Sequence, residues 1–501
     1  MIHVRQSSND ILPLEDRYII SASSKQSTKR RALDKCFSLP FVLLAAGIEI
    51  LCRPAIQRCL LAVVILDIPL QWGIHLQFRQ RLSLLGAIGG YDVSITTIAL
   101  LGLYLGWFFS SSALHRPPRF YVNWPIIAYT AAVGVSALVA ASDQLVFFYL
   151  FILIQLLLVY LYIRGNLSTR EDIIFVLTLL LAGGIFESAY MLLLGVIGSR
   201  LGMAPASAKG MLSFSLLGLK TMMYMPVKDV PFVRQGGTIG SPTYAAGYLG
   251  VLIALAMCVR QMDVPGYLRR LTMPVIILGG FALITTFSRG GWIEAALAAG
   301  ILLCAKWARD GISTRTMLAM LGGAAFIVVV LCTHNPVSER LTSPDNGSAE
   351  SRIPLMHLAF DMISAHPVLG VGANNFADVM ESYAGPEFRY AWIYTVHNQF
   401  LLVFAETGIV GLLTYLSIYG SLMRKGWRLW RSRDNLLGPL GMAVIAGTIG
   451  LMSHMLVDIF SERALLQLFW VFMAIVEVGQ KLLAEEQEKR AGLRLQKAES
   501  V

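Results

Sequence analysis

The chain predicts an all-α, polytopic integral membrane protein, and three observations carry that expectation. Hydrophobic residues make up 56% of the 501 positions and charged residues only 14%, with mean hydropathy +0.63. A soluble domain carries roughly 25% charged residues. Apolar runs recur along the chain, several of them reaching the ~18 residues that mark a membrane span. The net charge of +10 comes from Lys and Arg gathered in short loops and tails. The positive-inside rule accounts for that pattern without a nucleic-acid partner.

Taken in order, residues 1–36 form a polar, Ser-rich tail with Lys29, Arg30, Arg31 and Lys35 just before the first apolar run. No small-residue cleavage pattern follows, so the tail is read as cytoplasmic and not as a removed signal. Residues 37–482 are read as one transmembrane domain. Phe37 to Leu51 is short and is assigned to the interface, whereas Ile56 to Trp72 is long enough to span. Further spans fall at 93–112, 120–141, 144–163, 172–198, 240–260, 272–287, 289–306, 316–333, 398–421, 436–458 and 464–481. The expected total is about twelve. Residues 483–501 read as a solvated, cytoplasmic helical tail.

Orientation is argued from the strongest cationic loop, Arg424, Lys425, Arg428, Arg431 and Arg433, which should face the cytoplasm. Alternation then puts two large loops, 199–239 and 334–397, on the outer, periplasmic side. The first holds Lys209, Lys220, Lys228 and Arg234, mostly solvated charges that together could attract an anion. The second is expected to be partly helical, because Ile353, Leu355, Met356, Leu358, Ala359, Met362 and Ile363 recur near helical period. Such an amphipathic helix would lie on the membrane surface or over a cavity mouth. His366-Pro367 would end it, and the glycines from Gly370 to Phe376 supply a turn.

Several chemistries are excluded by pattern. There is no P-loop, GxSxG elbow, HExxH or Gly-rich dinucleotide turn. The eight histidines are dispersed, so neither a metal nor a cofactor is expected. The six cysteines lie in or beside apolar runs without CxxC spacing, which reads as inert thiols.

Four motifs sit at loop boundaries. Arg234-Gln235-Gly236-Gly237-Thr238-Ile239-Gly240-Ser241-Pro242-Thr243 leads into Ala246-Gly247-Tyr248-Leu249, and Thr285-Thr286-Phe287-Ser288-Arg289-Gly290-Gly291-Trp292 lies between two spans. Arg352 to Phe376 contains His366-Pro367-Val368-Leu369-Gly370-Val371-Gly372, and His397-Asn398-Gln399 precedes Glu406-Thr407-Gly408. In this order they resemble O-antigen ligases and polymerases over about residues 230–460, with Thr243 where that family often has Asn. The resemblance implies a bacterial inner-membrane glycosyltransferase of the membrane type C fold. Its donor would be a glycan on undecaprenyl pyrophosphate, used at the periplasmic face without a metal or a nucleotide sugar. The acceptor would be a lipid-linked glycan or lipid A core, with a flippase and a chain-length regulator as possible partners besides membrane lipids.

The residues themselves suit that chemistry. A diphosphate leaving group gains negative charge as the glycosidic bond breaks, and arginine binds phosphate oxygens in a bidentate way while staying charged. Arg234 and Arg289 are the candidates, each at the outer end of a span beside glycines, with Arg352 as a third. The plain alternatives are an ordinary loop charge for Arg234 and an interfacial anchor for Arg289. His397 could take the proton from an acceptor hydroxyl, or merely open a helix that Asn398 caps. Glu406 falls nine residues after His397, on the opposite helix face, so it reads as a structural partner for another polar group. Glu187 and Glu294 are carboxylates in apolar segments that must pair, face a cavity or be protonated. Asp458 is expected to form a local ion pair near His454 and Arg463, with a role in holding the acceptor as its alternative. Polymerase of an exported polysaccharide is the leading reading. Ligase, protein O-oligosaccharyltransferase and, in a different class, lipid-linked glycan transporter are the alternatives.

Overall fold

Apolar runs bounded by proline, glycine and charge fold as helices along nearly the whole chain. The structure is a computed structural model that describes residues 46–110, 123–200, 211–216, 219–224, 234–311, 335–342, 352–385 and 394–499, with scattered positions between 314 and 333. The first half comprises α1 (Pro54–Leu70), β1 (Gly73–Leu76), α2 (Gln80–Leu84), β2 (Tyr91–Ser94), α3 (Ile95–Phe109), α4 (Trp124–Ser136), α5 (Asp143–Asn166) and α6 (Arg170–Arg200). After β3 (Met211–Leu216), β4 (Leu219–Tyr224) and β5 (Arg234–Gln235) come α7 (Pro242–Val259), α8 (Gly266–Thr285) and α9 (Arg289–Asp310). The last part holds α10 (Pro336–Thr342), α11 (Arg352–Ala365), α12 (Phe376–Tyr383), α13 (Gln399–Arg431), α14 (Leu437–Met455) and α15 (Arg463–Glu499).

Two units cluster separately: residues 1–58 with 102–117, and residues 59–101 with 118–501. In the small unit the Gln57 amide donates to Leu51 O at 2.7 Å. Everything below concerns the large unit. Among the described residues eight helices, α5 to α9 and α13 to α15, are long and apolar enough to cross a membrane. The helices α3 and α4 are apolar but shorter. Of the expected spans, 316–333 is described only in part, and 37–51 lies mostly outside the described residues, as do Lys209 and Lys228.

The all-α expectation agrees with this largely helical architecture, to which two small strand pairings are added. Two short antiparallel sheets are present, β1–β2 and β3–β4–β5, the second pairing Tyr224 with Arg234 and Met223 with Gln235. Met211–Leu216 alternates Leu212, Phe214 and Leu216 with Ser213 and Ser215, a period of two. A span-length hydropathy reading averages such a six-residue signal away.

Helices α7 and α14 form the interior with α15: 83%, 78% and 83% of their apolar stretches are buried, against 33% for α8 and 22% for α9, which therefore border lipid. Small residues make the interior possible. Ala245, Ala246, Gly247 and Gly250 on α7, and Gly441, Ala443, Ala446, Gly447 and Gly450 on α14, bring backbones close. Helix α14 packs on α7, α9 and α13, while α6 packs on α8 and α15 on α5. One end of this bundle carries the sequence motifs. At the far end Arg170 forks onto Asp434 at 2.7 Å and Glu486 at 2.8 Å. Burial alone would raise the Asp434 carboxyl, but Arg170 and the amides of Leu436 and Leu437 hold it down to about 2.

Candidate functional site

The α8–α9 corner is built from backbone carbonyls, two arginines and a capped helix start. Helix α8 ends at Thr285 and Phe287 takes a positive φ of 48°, so the chain reverses within a few residues. The carbonyls left unsatisfied there are held by cations: Arg234 Nε donates to Thr286 O at 2.8 Å, and Arg340 Nε donates to Phe287 O at 3.3 Å. Arg289 opens α9 directly after this corner and is half-buried. The structure therefore places Arg234 and Arg289 at one corner and adds Arg340. Sequence reasoning missed Arg340 because it belongs to no motif; it stands on α10, whose first turn is set by Asn335 Oδ1 accepting from Val337 N and Ser338 N.

Beneath Arg289 lies a buried polar chain. Ser288 caps α9 by accepting from Gly291 N at 3.2 Å, and its hydroxyl lies 3.4 Å from His454 Nε2. His454 Nδ1 is 2.7 Å from Glu294 Oε2. A carboxylate only accepts, so Nδ1 carries the hydrogen, Nε2 accepts from Ser288, and the serine oxygen is left to cap the helix. Ser288, His454 and Glu294 Oε2 thus answer one another, while Glu294 Oε1 is buried without a hydrogen-bond partner among the described residues. Glu294 is accordingly paired, and Glu187 is too: it accepts from Thr238 N at 2.9 Å, Thr238 Oγ1 at 2.5 Å and Ile239 N at 3.4 Å. Glu187 so anchors the turn that presents Arg234. The Ser288–His454–Glu294 link spans 166 residues of sequence, and only the buried carboxylate hinted at it.

The second half of the site is the 394–399 segment. His397 Nδ1 lies 3.1 Å from Thr395 O, which can only accept, so in the neutral ring Nε2 carries the lone pair. Its ring packs 5.0 Å from that of Tyr394. Burial holds the imidazole below its ordinary 6.5; Asp458 acts against that shift, and Arg352 adds to it. Arg352, Asp458 and His397 are therefore electrostatic neighbours. Asn398 caps α13 by accepting from Phe400 N and Leu401 N, both at 3.0 Å, and donates to Leu456 O at 3.0 Å. Gln399 Oε1 accepts from Phe460 N at 2.7 Å. The 454–460 corner consequently touches both halves, holding α9's start through His454 and α13's start through Leu456 and Phe460.

Two sequence-derived placements take a definite structural form. Glu406 Oε1 accepts from Phe376 N at 3.1 Å, while Val371 N and Gly372 N donate to Ala405 O and Glu406 O at 2.9 Å each. Glu406 thereby welds the Gly370–Phe376 turn to α13. At this seam Gly370 has φ +70° and Gly408 φ +63°, and a Cβ on either would strike backbone of the opposite segment. The local ion pair expected between Asp458 and Arg463 is not formed. Arg463 is buried and pairs with Asp67 at 2.7 Å and Asp92 at 2.8 Å, because a fully desolvated guanidinium takes the two buried carboxylates over a half-exposed one. Asp458 instead caps locally, accepting from Ile459 N at 3.0 Å.

Helix α11 covers this end. Leu355, Leu358, Ala359, Met362 and Ile363 join Phe376, Leu402, Ala405 and Ile459 in one apolar cluster, while Ile353 and Phe360 on the other face are exposed. The amphipathic pattern read from sequence thus buries one face against α13. Among the described residues no group of three or more His, Cys, Asp or Glu could hold a metal.

Fold and site together define a polytopic helical membrane protein with cations and a histidine gathered at one end of its bundle. Residues 274–416 match the family model described as O-antigen ligase. The chain is also similar to the teichuronic acid biosynthesis protein TuaE of Bacillus subtilis (strain 168), 31% identical over 121 residues. That alignment spans about a quarter of each protein, 24% of this chain and 24% of the relative.

Proposed function

We propose that the protein transfers a glycan from undecaprenyl pyrophosphate to an acceptor hydroxyl at the periplasmic face of the bacterial inner membrane. The observation that carries this reading is the convergence of Arg234, Arg289 and Arg340 on one helix corner, with His397 held nearby by the shared 454–460 segment. Arg289 and Arg234 bind the diphosphate, with Arg340 and Arg352 flanking it, and strengthen their hold as charge develops on the leaving oxygen. His397 Nε2 accepts the proton of the acceptor hydroxyl, and that oxygen attacks the anomeric carbon. The bond from anomeric carbon to phosphate oxygen breaks, its electron pair leaving with undecaprenyl pyrophosphate. No step calls for a metal. Asp458 and Glu406 support: the first beside His397, the second by fixing the loop against α13.

Polymerisation of exported repeat units is the leading form of this function, and similarity to a protein named for teichuronic acid biosynthesis favours it. Ligation is the second reading, favoured by the description of the matched family. About twelve spans, an outer active face, and a flippase and chain-length regulator as partners belong to the same proposal. Deletion of the gene followed by gel analysis of surface glycan tests it. Single repeats on their acceptor indicate a lost polymerase, and full-length chains left on the lipid carrier a lost ligase. Unchanged glycan would contradict both.

A further inference from the structure

The far end of the bundle holds a cavity that the transfer reaction does not use. Helix α9 runs from Arg289 at the candidate site to Asp310, and 22 residues place its two ends roughly 33 Å apart. At that far end, between α7, α9, α13 and α14, lies a cavity of about 340 Å³. Its mouth is polar: Gln261, Lys306, Arg309, Asp310 and Asn435 line it. Its floor is apolar, formed by Leu302, Pro439 and Met442. Among the described residues Lys306 has no ion-pair partner, and the hydrogen bond of Arg309 is a long one, 3.4 Å to Arg433 O. Asp434, the acidic residue next to the lining residue Asn435, is already taken by Arg170.

 That carboxylate sits in the Arg170 fork at 2.7 Å, so it does not neutralise either cavity cation. Asp310 leaves the mouth with one positive charge in excess of negative charge.

The depth of the cavity is marked independently. Trp430 lines it, its ring tilted by 44° and 4.8 Å from that of Trp427, and both Trp427 and Trp307 are about half exposed. Amphipathic indole rings at one level of a helical bundle mark the headgroup layer of a bilayer. A polar, cationic mouth over an apolar floor at headgroup depth fits an amphiphile, and a basic pocket between spans suits an anionic lipid. We infer that this cavity binds the phosphate-ester headgroup of an anionic glycerophospholipid. Lys306 and Arg309 take the phosphodiester, and Asp310 and Asn435 accept hydrogen bonds from headgroup hydroxyls. The excess positive charge selects a phosphatidylglycerol-type headgroup over a zwitterionic one. The inference does not rest on the transfer reaction.

The test uses the full chain in nanodiscs of mixed phosphatidylglycerol and phosphatidylcholine, with the lipid retained after release measured by native mass spectrometry. The wild type is expected to retain phosphatidylglycerol selectively. Lys306→Ala with Arg309→Ala should cut that retention about tenfold or more, at roughly fivefold per cation. Arg269→Ala with Arg270→Ala removes the same charge from the same end but outside the cavity, and should leave retention unchanged. Equal losses in the two double variants, or equal retention of both lipids by the wild type, would overturn the inference. A further arm adds inorganic phosphate: displacement of the lipid at low millimolar concentration would mean a free phosphate site and would also overturn it. If the cavity double variant does not fold, Lys306→Gln alone, expected to show the smaller single-cation loss, carries the comparison.

Discussion

His397 takes its pH behaviour from where it sits. Burial lowers its pKa below 6.5, and the neutral ring is the form that accepts a proton, so transfer should be sustained down to a pH below 6.5 before it falls. Asp458 raises that pKa and Arg352 lowers it. Asp458→Asn should therefore move the acidic limb of the pH–rate profile further down, and Arg352→Gln should move it up, whatever either does to the maximal rate. Limbs that stay in place in both variants would remove His397 as the titrating base. His454 makes a different contribution, because it touches the helix cap and not the reacting groups. His454→Leu should reduce kcat on the order of 100-fold by loosening the turn that bears Arg289. Steady-state kinetics on reconstituted protein would check this against Glu294→Gln, which still accepts from the ring and should lose less. The sequence made Arg234, Arg289 and His397 visible because each stands in a motif. Arg340 and the Ser288–His454 contact were hidden, since a pairing across a long stretch of chain leaves no local signature.

At the scale of elements, the seam between the Gly370–Phe376 turn and α13 explains why two separate sequence motifs belong together. Gly408 holds φ 63° and ψ −168°, a region open essentially to glycine alone. Gly408→Ala should destabilise the protein by about 1–3 kcal/mol from backbone strain, and by more where the added Cβ meets Val368. Thermal unfolding in detergent would register it as a lowered midpoint, and an unchanged midpoint would contradict the seam. Helix α11 was legible from its period, which picked out Leu355, Leu358, Ala359, Met362 and Ile363 but also Ile353, which the structure leaves exposed. The β3–β4–β5 sheet was not, because its six-residue strands lie in a loop read by hydropathy, and its link to Arg234 is made through backbone pairing.

For the whole molecule, the long apolar helices were plain from composition, whereas the interior order was not. That α7 and α14 lie inside while α8 and α9 border lipid follows from small-residue packing, which hydropathy does not report. Charge at the far end and the motifs at the other give the bundle a direction. Reporter fusions after Gly347 and after Lys425 should report opposite sides of the membrane, and a shared side would contradict that direction. The central claim is that the arginine corner serves a lipid-linked diphosphate. Its most direct measurement is release of polyprenyl pyrophosphate from a lipid-linked glycan donor by reconstituted wild type and Arg289→Ala, with acceptor present. The account predicts one pyrophosphate carrier released per glycosidic bond formed by the wild type, and loss of both in the variant although it inserts and folds normally. Undiminished release by Arg289→Ala, or glycan transfer without release of the carrier, would contradict it.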